Sequence, residues 1–391
     1  MTILILANFA PAKAATLSLS DFLNSVKTDS PDLKIEKSLS DGAQARSKGI
    51  RLSPPMVGLM NMRDGSGTNR GFEVTQQIPF PTKILKEKEV RALESKTQNS
   101  LFSYRKNEIV LEARQAYFDY WKSYQLRKIL DEKQVWLKNH VKIARSTARA
   151  DSTAQIHLLG TESEADQLEN EGLEAATDVI EKSNALKIYA PNLNTKDVIP
   201  ELDPKLEIIE VDQKVKSGFL SAKEDELKLA KATTSLNKQS YLPDIVLRYR
   251  TFNGNDTTPK SEEIMVGITL PFLFFWQPHA ESTEASAREF RVQAELQKLR
   301  LTFEGRLANL TEKSNSLKKQ LLTLKEKLIP RAHKRMKLVD NLSARTMEGL
   351  EEHRTVMFDY LNLRLNAINV RVEYEKTSAE ILKLMSKEVE L

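Results

Sequence analysis

The 391-residue chain has no cysteine. That excludes thiol catalysis, cysteine zinc sites, disulfides and a lipid-modified N-terminal cysteine. Glycine and proline are scarce, 13 and 14 residues, so little of the chain is available for loops. After the N-terminus no run approaches the roughly 20 apolar residues of a membrane-spanning helix, and the mean hydropathy is −0.44. Neither charge sign dominates. The 59 basic and 54 acidic residues are interleaved, the pattern of solvated helix faces rather than of a nucleic-acid surface. Catalytic signatures are missing as well. His140, His157, His279, His333 and His353 are scattered, with no His-x-x-x-His, no Gly-x-Ser-x-Gly and no phosphate loop. Glu352-His353 reads as exposed helix surface rather than as a metal-ligand pair. These absences predict a chain that is not an enzyme and has no cofactor, resident metal or nucleic-acid partner.

What is present is a duplication. Gly71-Phe72-Glu73-Val74-Thr75-Gln76-Gln77-Ile78-Pro79-Phe80 is echoed by Met265-Val266-Gly267-Ile268-Thr269-Leu270-Pro271-Phe272. Sliding Pro79 onto Pro271 also lays Glu112 on Glu304, Arg114 on Arg306 and Ala116 on Ala308. Each copy reads helix, hairpin, long helix, turn, helix, the sign of units that bury their apolar faces together. The first repeat is placed at 15–190, with its hairpin at about 55–79 and long helix at about 83–150. The second is at 206–391, with its hairpin at about 243–271 and long helix at about 280–347. Residues 191–205, rich in Asn, Asp and Pro, form the linker. Residues 1–14 carry the apolar run Thr2–Ala7 and the small-x-small site Ala12-Lys13-Ala14, the tail of a secretory signal.

Between Pro81 and Gly160 there is neither proline nor glycine, so one very long helix is expected, too long for a compact domain. Ile109, Ala113, Ala116, Tyr117 and Tyr120 recur at helical spacing, as do Leu361, Leu365, Ile368 and Val372. The second long helix should begin after Pro278, with interruptions at Gly305 and Pro330. Shorter helices are expected at roughly 18–50, 155–189, 206–241 and 353–388. Two short helices end to end match one long one, giving antiparallel coiled-coil pairs. The far turns fall at Asp151-Ser152-Thr153-Ala154 and Met347-Glu348-Gly349-Leu350.

The hairpins alternate with period two. Phe72, Val74 and Ile78 alternate with Glu73, Thr75 and Gln77, and Ile245, Leu247 and Tyr249 with Arg248 and Arg250. Ile264, Val266, Ile268 and Leu270 alternate with Met265, Gly267 and Thr269, while Met56, Gly58, Met60 and Met62 alternate with Leu59, Asn61 and Arg63. Such alternation suits a transmembrane strand between lipid and an aqueous lumen, and equally a soluble sheet with one buried face. Phe272, Phe274, Phe275 and Trp276 at the strand end, with Phe72 and Phe80, favour a water–lipid interface. Four strands cannot close a barrel, and an open edge cannot sit in lipid. If the hairpins are in a membrane, several chains share one barrel.

The order of motifs resembles the TolC-like outer-membrane efflux protein family over nearly the whole chain. The residues carrying the resemblance are Leu17-Ser18-Leu19-Ser20-Asp21-Phe22, Ser30-Pro31-Asp32-Leu33, Leu52-Ser53-Pro54-Pro55, Tyr241-Leu242-Pro243 and Ala113-Arg114-Gln115-Ala116-Tyr117-Phe118-Asp119. Gln76-Gln77-Ile78-Pro79-Phe80-Pro81 is similar to the strand exit of the CzcC-like heavy-metal efflux branch. The resemblance implies a mainly α fold with transmembrane β, in which a homotrimer shares a twelve-stranded β-barrel in the outer membrane. An α-helical barrel then extends into the periplasm of a Gram-negative bacterium. It implies a passive exit duct for heavy-metal cations, with a periplasmic adaptor and a proton-driven inner-membrane pump as partners. A type I protein-secretion duct uses the same fold, and a soluble coiled-coil scaffold is the reading of another class.

In such a trimer the tip and gate candidates are Asp151, Ser152, Thr153, Glu348, Gly349, Glu351 and Glu352, whose carboxylates would ring a narrow mouth and select cations. His157 and His353 both fall just past a turn, so the two are expected near each other. The lumen candidates are Glu73, Thr75, Gln77, Arg248, Arg250 and Thr269. The turn at Asp151 lacks the glycine usual in the family, whereas Gly349 keeps it in the second.

Overall fold

The computed structural model describes residues 15–64, 67–147, 152–193, 198–204, 206, 217–254, 259–342 and 347–385. The sequence stretch read as a secretory signal, 1–14, lies outside the described residues.

Among the described residues six strands and eight α-helices follow in order: β1 (Ala15–Leu17), α1 (Leu19–Asp29), α2 (Pro31–Ser47), β2 (Met56–Asp64), β3 (Gly67–Ile78), α3 (Pro81–Thr147), α4 (Ser152–Tyr189), β4 (Val198–Pro200), α5 (Gly218–Asn237), β5 (Ile245–Phe252), β6 (Ser261–Ile268), α6 (Trp276–Thr323), α7 (Ile329–Leu342) and α8 (Met347–Met385). The chain divides into two compact units, each drawing on both sequence repeats. One comprises residues 1–35, 105–215 and 304–391, the other 36–104 and 216–303.

In the first unit the core is built by α1, α3 and the ends of α4 and α8. Phe22, Leu23, Val26, Ala113, Tyr117, Phe118, Leu186, Ala190 and Val372 bury together. α1 is started by Ser18, whose hydroxyl accepts the Asp21 N–H at 3.1 Å, a capping contact that satisfies an otherwise orphaned donor. β1 pairs in parallel with β4, and long helical side chains hold the segment in place. The Tyr117 hydroxyl donates to the Leu17 carbonyl at 2.9 Å, Trp121 Nε1 to the Leu202 carbonyl at 3.3 Å and Arg371 Nη2 to the Pro204 carbonyl at 3.0 Å.

In the second unit β2, β3, β5 and β6 form one antiparallel sheet in that order, leaving β2 and β6 at its edges. The repeat hairpins join through β3 and β5, with Glu73 opposite Arg250 and Thr75 opposite Arg248. Gly71 pairs across β3 and β5 with Phe252, and a Cβ there would run into the Thr251 carbonyl oxygen.

Four expectations need correction. The turn expected at Met347-Glu348-Gly349-Leu350 is already helical, forming the first turn of α8. The helix anticipated at 18–50 is two helices, because Ser30 precedes Pro31 and takes an extended conformation, φ −56° and ψ 124°, as the proline ring disfavours α geometry in the residue before it. Gly305 does not interrupt the second long helix: α6 runs through it from Trp276 to Thr323, a tolerable cost of about 1 kcal/mol relative to alanine. That helix also begins before Pro278, which occupies its first turn, where a proline's missing N–H has no intrahelical partner to lose. Pro330 does disturb the helix. The π-turn Leu324–Leu328 precedes it and α7 restarts at Ile329.

Candidate functional site

The sheet is built inside out for a protein in water. On one face the register aligns Val57, Leu59, Phe72, Val74, Leu247, Tyr249, Ile264 and Val266. Those on the edge strands are the most open, with Leu59 93% and Ile264 79% exposed, while Val74 and Tyr249 on the inner strands are half-buried. The opposite face carries Glu73, Thr75, Gln77, Arg248 and Arg250 together; its centre is sheltered, with Thr75 9% exposed, while Gln77 and the edge-strand Met56 and Met62 stay open. Glu73 organises it. Arg250 Nε donates to Glu73 Oε2 at 2.6 Å, the Thr75 hydroxyl donates to Oε1 at 2.9 Å, and Arg248 Nε stands 3.3 Å from Oε1. Five of the six lumen candidates therefore share one face. Thr269 does not join them, being one residue past β6. Its hydroxyl accepts the Asp244 N–H at 2.8 Å and its own N–H donates to the Asp244 carbonyl at 2.9 Å.

Asp244 is the residue that sequence reasoning missed. Its carboxylate accepts Lys83 Nζ at 2.7 Å and the Phe80 N–H at 3.2 Å on one oxygen, and Gln77 Nε2 at 3.1 Å on the other. It ties the exit of β3 and the start of α3 to the entry of β5. The only sequence signal was its place after Leu242-Pro243, where a strand was expected to open.

The interface aromatics fall into three places. Phe272, Phe274, Phe275 and Trp276 form one exposed cluster, with Trp276 edge-on to Phe274 at 5.4 Å and to Phe275 at 5.6 Å. Phe72 sits within β3 against Tyr249 at 6.1 Å. Phe80 lies apart from both at the Asp244 junction.

At the helix turns, Asp151 lies outside the described residues. Ser152 and Thr153 open α4, and Glu348 is the second residue of α8; the side chains of these three are outside the description too. Gly349 follows in the first turn of α8, and Glu352 is exposed. Glu351 is engaged: its carboxylate receives His157 Nδ1 at 2.7 Å and Arg354 Nε at 3.0 Å. Arg354 Nη1 also donates to Glu164 at 2.8 Å. His353 lies against Trp136, ring centroids 5.2 Å apart, and Trp136 stacks on His140 at the same distance. The structure thus brings His157 and His353 into one cluster, with His140 between them. Burial pushes the His140 imidazole down from its ordinary value, with the neighbouring His157 adding to the effect. Among the described residues no group of three or more His, Cys, Asp or Glu side chains converges as a metal site.

No family model and no curated protein matches the chain. Solved structures do. The open state of the MtrE outer-membrane channel of Neisseria gonorrhoeae superposes with a TM-score of 0.77 at 12% identity, over 97% of this chain and 93% of that one. The CmeC outer-membrane channel of Campylobacter jejuni gives 0.74 at 13% identity, over 94% and 85%. The outer-membrane protein VceC of Vibrio cholerae gives 0.74 at 12%, over 95% and 97%. At these identities the similarity is one of fold, and the fold is that of TolC-family outer-membrane channels.

Proposed function

We propose that the chain is the outer-membrane exit duct of a tripartite efflux system, conducting passively and performing no catalysis. The observation that carries this reading is the inverted sheet with two unpaired edges. An apolar face left open, backed by a face whose centre holds the Glu73–Arg250 charge cluster, suits a strand set between lipid and an aqueous lumen. The backbone groups along β2 and β6 then need partners from other chains, since lipid offers none. Three copies would close a twelve-stranded barrel with Glu73, Thr75, Gln77, Arg248 and Arg250 lining its lumen. The helices would extend into the periplasm of a Gram-negative cell, preceded by the exported signal at 1–14. A periplasmic adaptor and a proton-driven inner-membrane pump would supply the cargo and the energy.

For the cargo we favour heavy-metal cations. Met56, Met60, Met62 and Met265 all fall on the charged face of the sheet and none on the apolar face. Thioether sulfur is a soft ligand suited to soft cations, and four such groups along an aqueous path support that class. A type I protein-secretion duct would use the same fold without that lining. A soluble coiled-coil scaffold would leave the exposed apolar face without an environment.

The test is the mass of the particle extracted from outer membranes in detergent. A stable particle of three 44.5 kDa chains that conducts ions in planar bilayers is the expected result. Recovery of a soluble monomer or dimer from the cytoplasm would remove the duct reading altogether.

A further inference from the structure

His140 is 2% exposed on α3 and lies in a pocket of aromatic rings and charges. On its own helix Trp136 stacks on it with an interplanar angle of 28°, and Lys133 Nζ sits 4.4 Å over the Phe358 ring. From α4, His157 meets it edge-on at 5.7 Å and 75°, and Glu164 stands behind, bound to Arg354. From α8 come Glu351, His353, Arg354 and Phe358, the last packed edge-on to Trp136 at 5.7 Å. His157 Nδ1 faces a carboxylate oxygen and must carry a proton there, which leaves Nε2 as the ring's other nitrogen. That atom and Nε2 of His140 are both buried without a hydrogen-bond partner. Two imidazole edges are thus held dry beside each other, a costly arrangement for polar atoms. It persists because three helices over-determine it.

We propose that His140 is a proton-sensitive latch, which holds α8 against α3 and α4 while neutral and loosens that junction when it takes up a proton. A cation at His140 would stand beside the Arg354 guanidinium and the rings of His157 and His353, with Glu351 as a counter-charge and Glu164 already bound to Arg354. It would also lack water to solvate it, so separation of the helices is the direct way to relieve the charge. The sign follows from burial. The folded chain resists the proton that the unfolded chain accepts near pH 6.5. The junction therefore keeps its full stability above that value and loses it as pH falls toward the depressed native one. The junction stands beside both helix turns, since α3 ends at Thr147, α4 begins at Ser152 and α8 at Met347. That its release widens a conducting mouth rests on the duct reading above; that the junction responds to protons does not.

Trp136 reports on the latch directly, because a protonated imidazole stacked on an indole quenches its emission. The measurement is the pH profile of fluorescence of the full-length chain in detergent, with Trp136→Phe subtracted to isolate that ring. Emission is expected to fall on acidification with a midpoint below pH 6.5, and the transition is expected to vanish in His140→Gln. Two surface-side variants keep the test sharp if His140→Gln fails to fold. Glu351→Gln should move the midpoint down and Arg354→Gln should move it up, each by about half a pH unit. No transition between pH 7.5 and 4.5, or a midpoint indifferent to both charge changes, overturns the latch. Bilayer conductance separates the two claims. A fluorescence transition in a chain that conducts at no pH keeps the latch and removes the duct. A conducting chain with no transition removes the latch alone.

Discussion

Arg114 of α3 and Glu375 of α8 meet at 2.8 Å with both side chains 1% exposed. Arg371, one turn earlier on α8, approaches the other Glu375 oxygen at 2.8 Å, and both guanidinium groups lie within 6 Å of the Phe118 ring centroid. One buried carboxylate therefore serves two buried cations. Glu375→Ala would remove the carboxylate that both cations share, although Arg371 keeps the Pro204 carbonyl, and loss of one partner from a buried ionic group costs about 3–5 kcal/mol. The expected result is a clear fall in thermal stability of the full-length protein. Replacing the group as a whole, Arg114→Met with Arg371→Met and Glu375→Leu, should recover most of it, because no unpaired charge is then left inside.

That pair also marks where sequence reading stops. The register of the duplication placed Arg114 on Arg306, and the two look equivalent. Yet Arg306 meets Glu380 at the surface, with side chains 64% and 41% exposed, while Arg114 is in the core. Period-two alternation disclosed the strands, and the lack of helix breakers disclosed α3, because both depend on local patterns. The partners of Asp244 and His140 did not show. Asp244 lies far along the chain from Lys83, and His140 meets Glu351 and His157 from two other helices. Pro31 and Gly305 show the same limit from the other side. Proline dictates the conformation of the residue before it and split the expected helix, whereas glycine merely weakens a helix that its neighbours then sustain.

At the strand-to-helix junction, Asp244→Ala should be more damaging than its surface-like position suggests. Lys83 and Asp244 are 16% and 17% exposed, and the carboxylate also holds the Phe80 N–H and Gln77. Lys83 would keep its 2.8 Å bond to the Leu242 carbonyl but lose its counter-charge, and the Phe80 N–H would lose its acceptor, a cost of about 1–3 kcal/mol. Asp244→Asn, which keeps an acceptor oxygen, should lose less. The check is the heat resistance of the detergent-extracted particle, scored by its dissociation to single chains.

A separate acid dependence arises in the second unit at Asp225. Burial pushes its carboxyl up, but hydrogen bonds from Lys228, Ser100 and Lys96 outweigh burial and hold it below the ordinary value of 3.8. The folded chain thus binds fewer protons there than the unfolded one. The stabilisation is fully present above that value and is lost as pH falls through the depressed one. Asp225→Asn should lower stability at pH 7 and flatten the part of the stability profile below pH 4. Denaturant midpoints at pH 7, 4 and 3 for the two proteins would show whether the curves converge as expected.

The methionines of the charged face make the cargo proposal testable without knowing the pump. Met56 lies opposite Thr75, Thr75 opposite Arg248 and Arg248 opposite Met265, so one row of the sheet carries a thioether at each edge strand. Met60 and Met62 add two more on β2, alternate residues on the same face. A closed barrel would bring the edge strands of neighbouring copies together, and with them their thioethers. Replacing all four by leucine keeps volume and strand character while removing the sulfur, so the fold and potassium conductance should be unchanged. Silver ion retained by the purified particle, measured by mass spectrometry of the metal, should fall at least tenfold. If the leucine protein holds as much silver as its parent, the lining does not select soft cations, and the choice of cargo rests entirely with the pump.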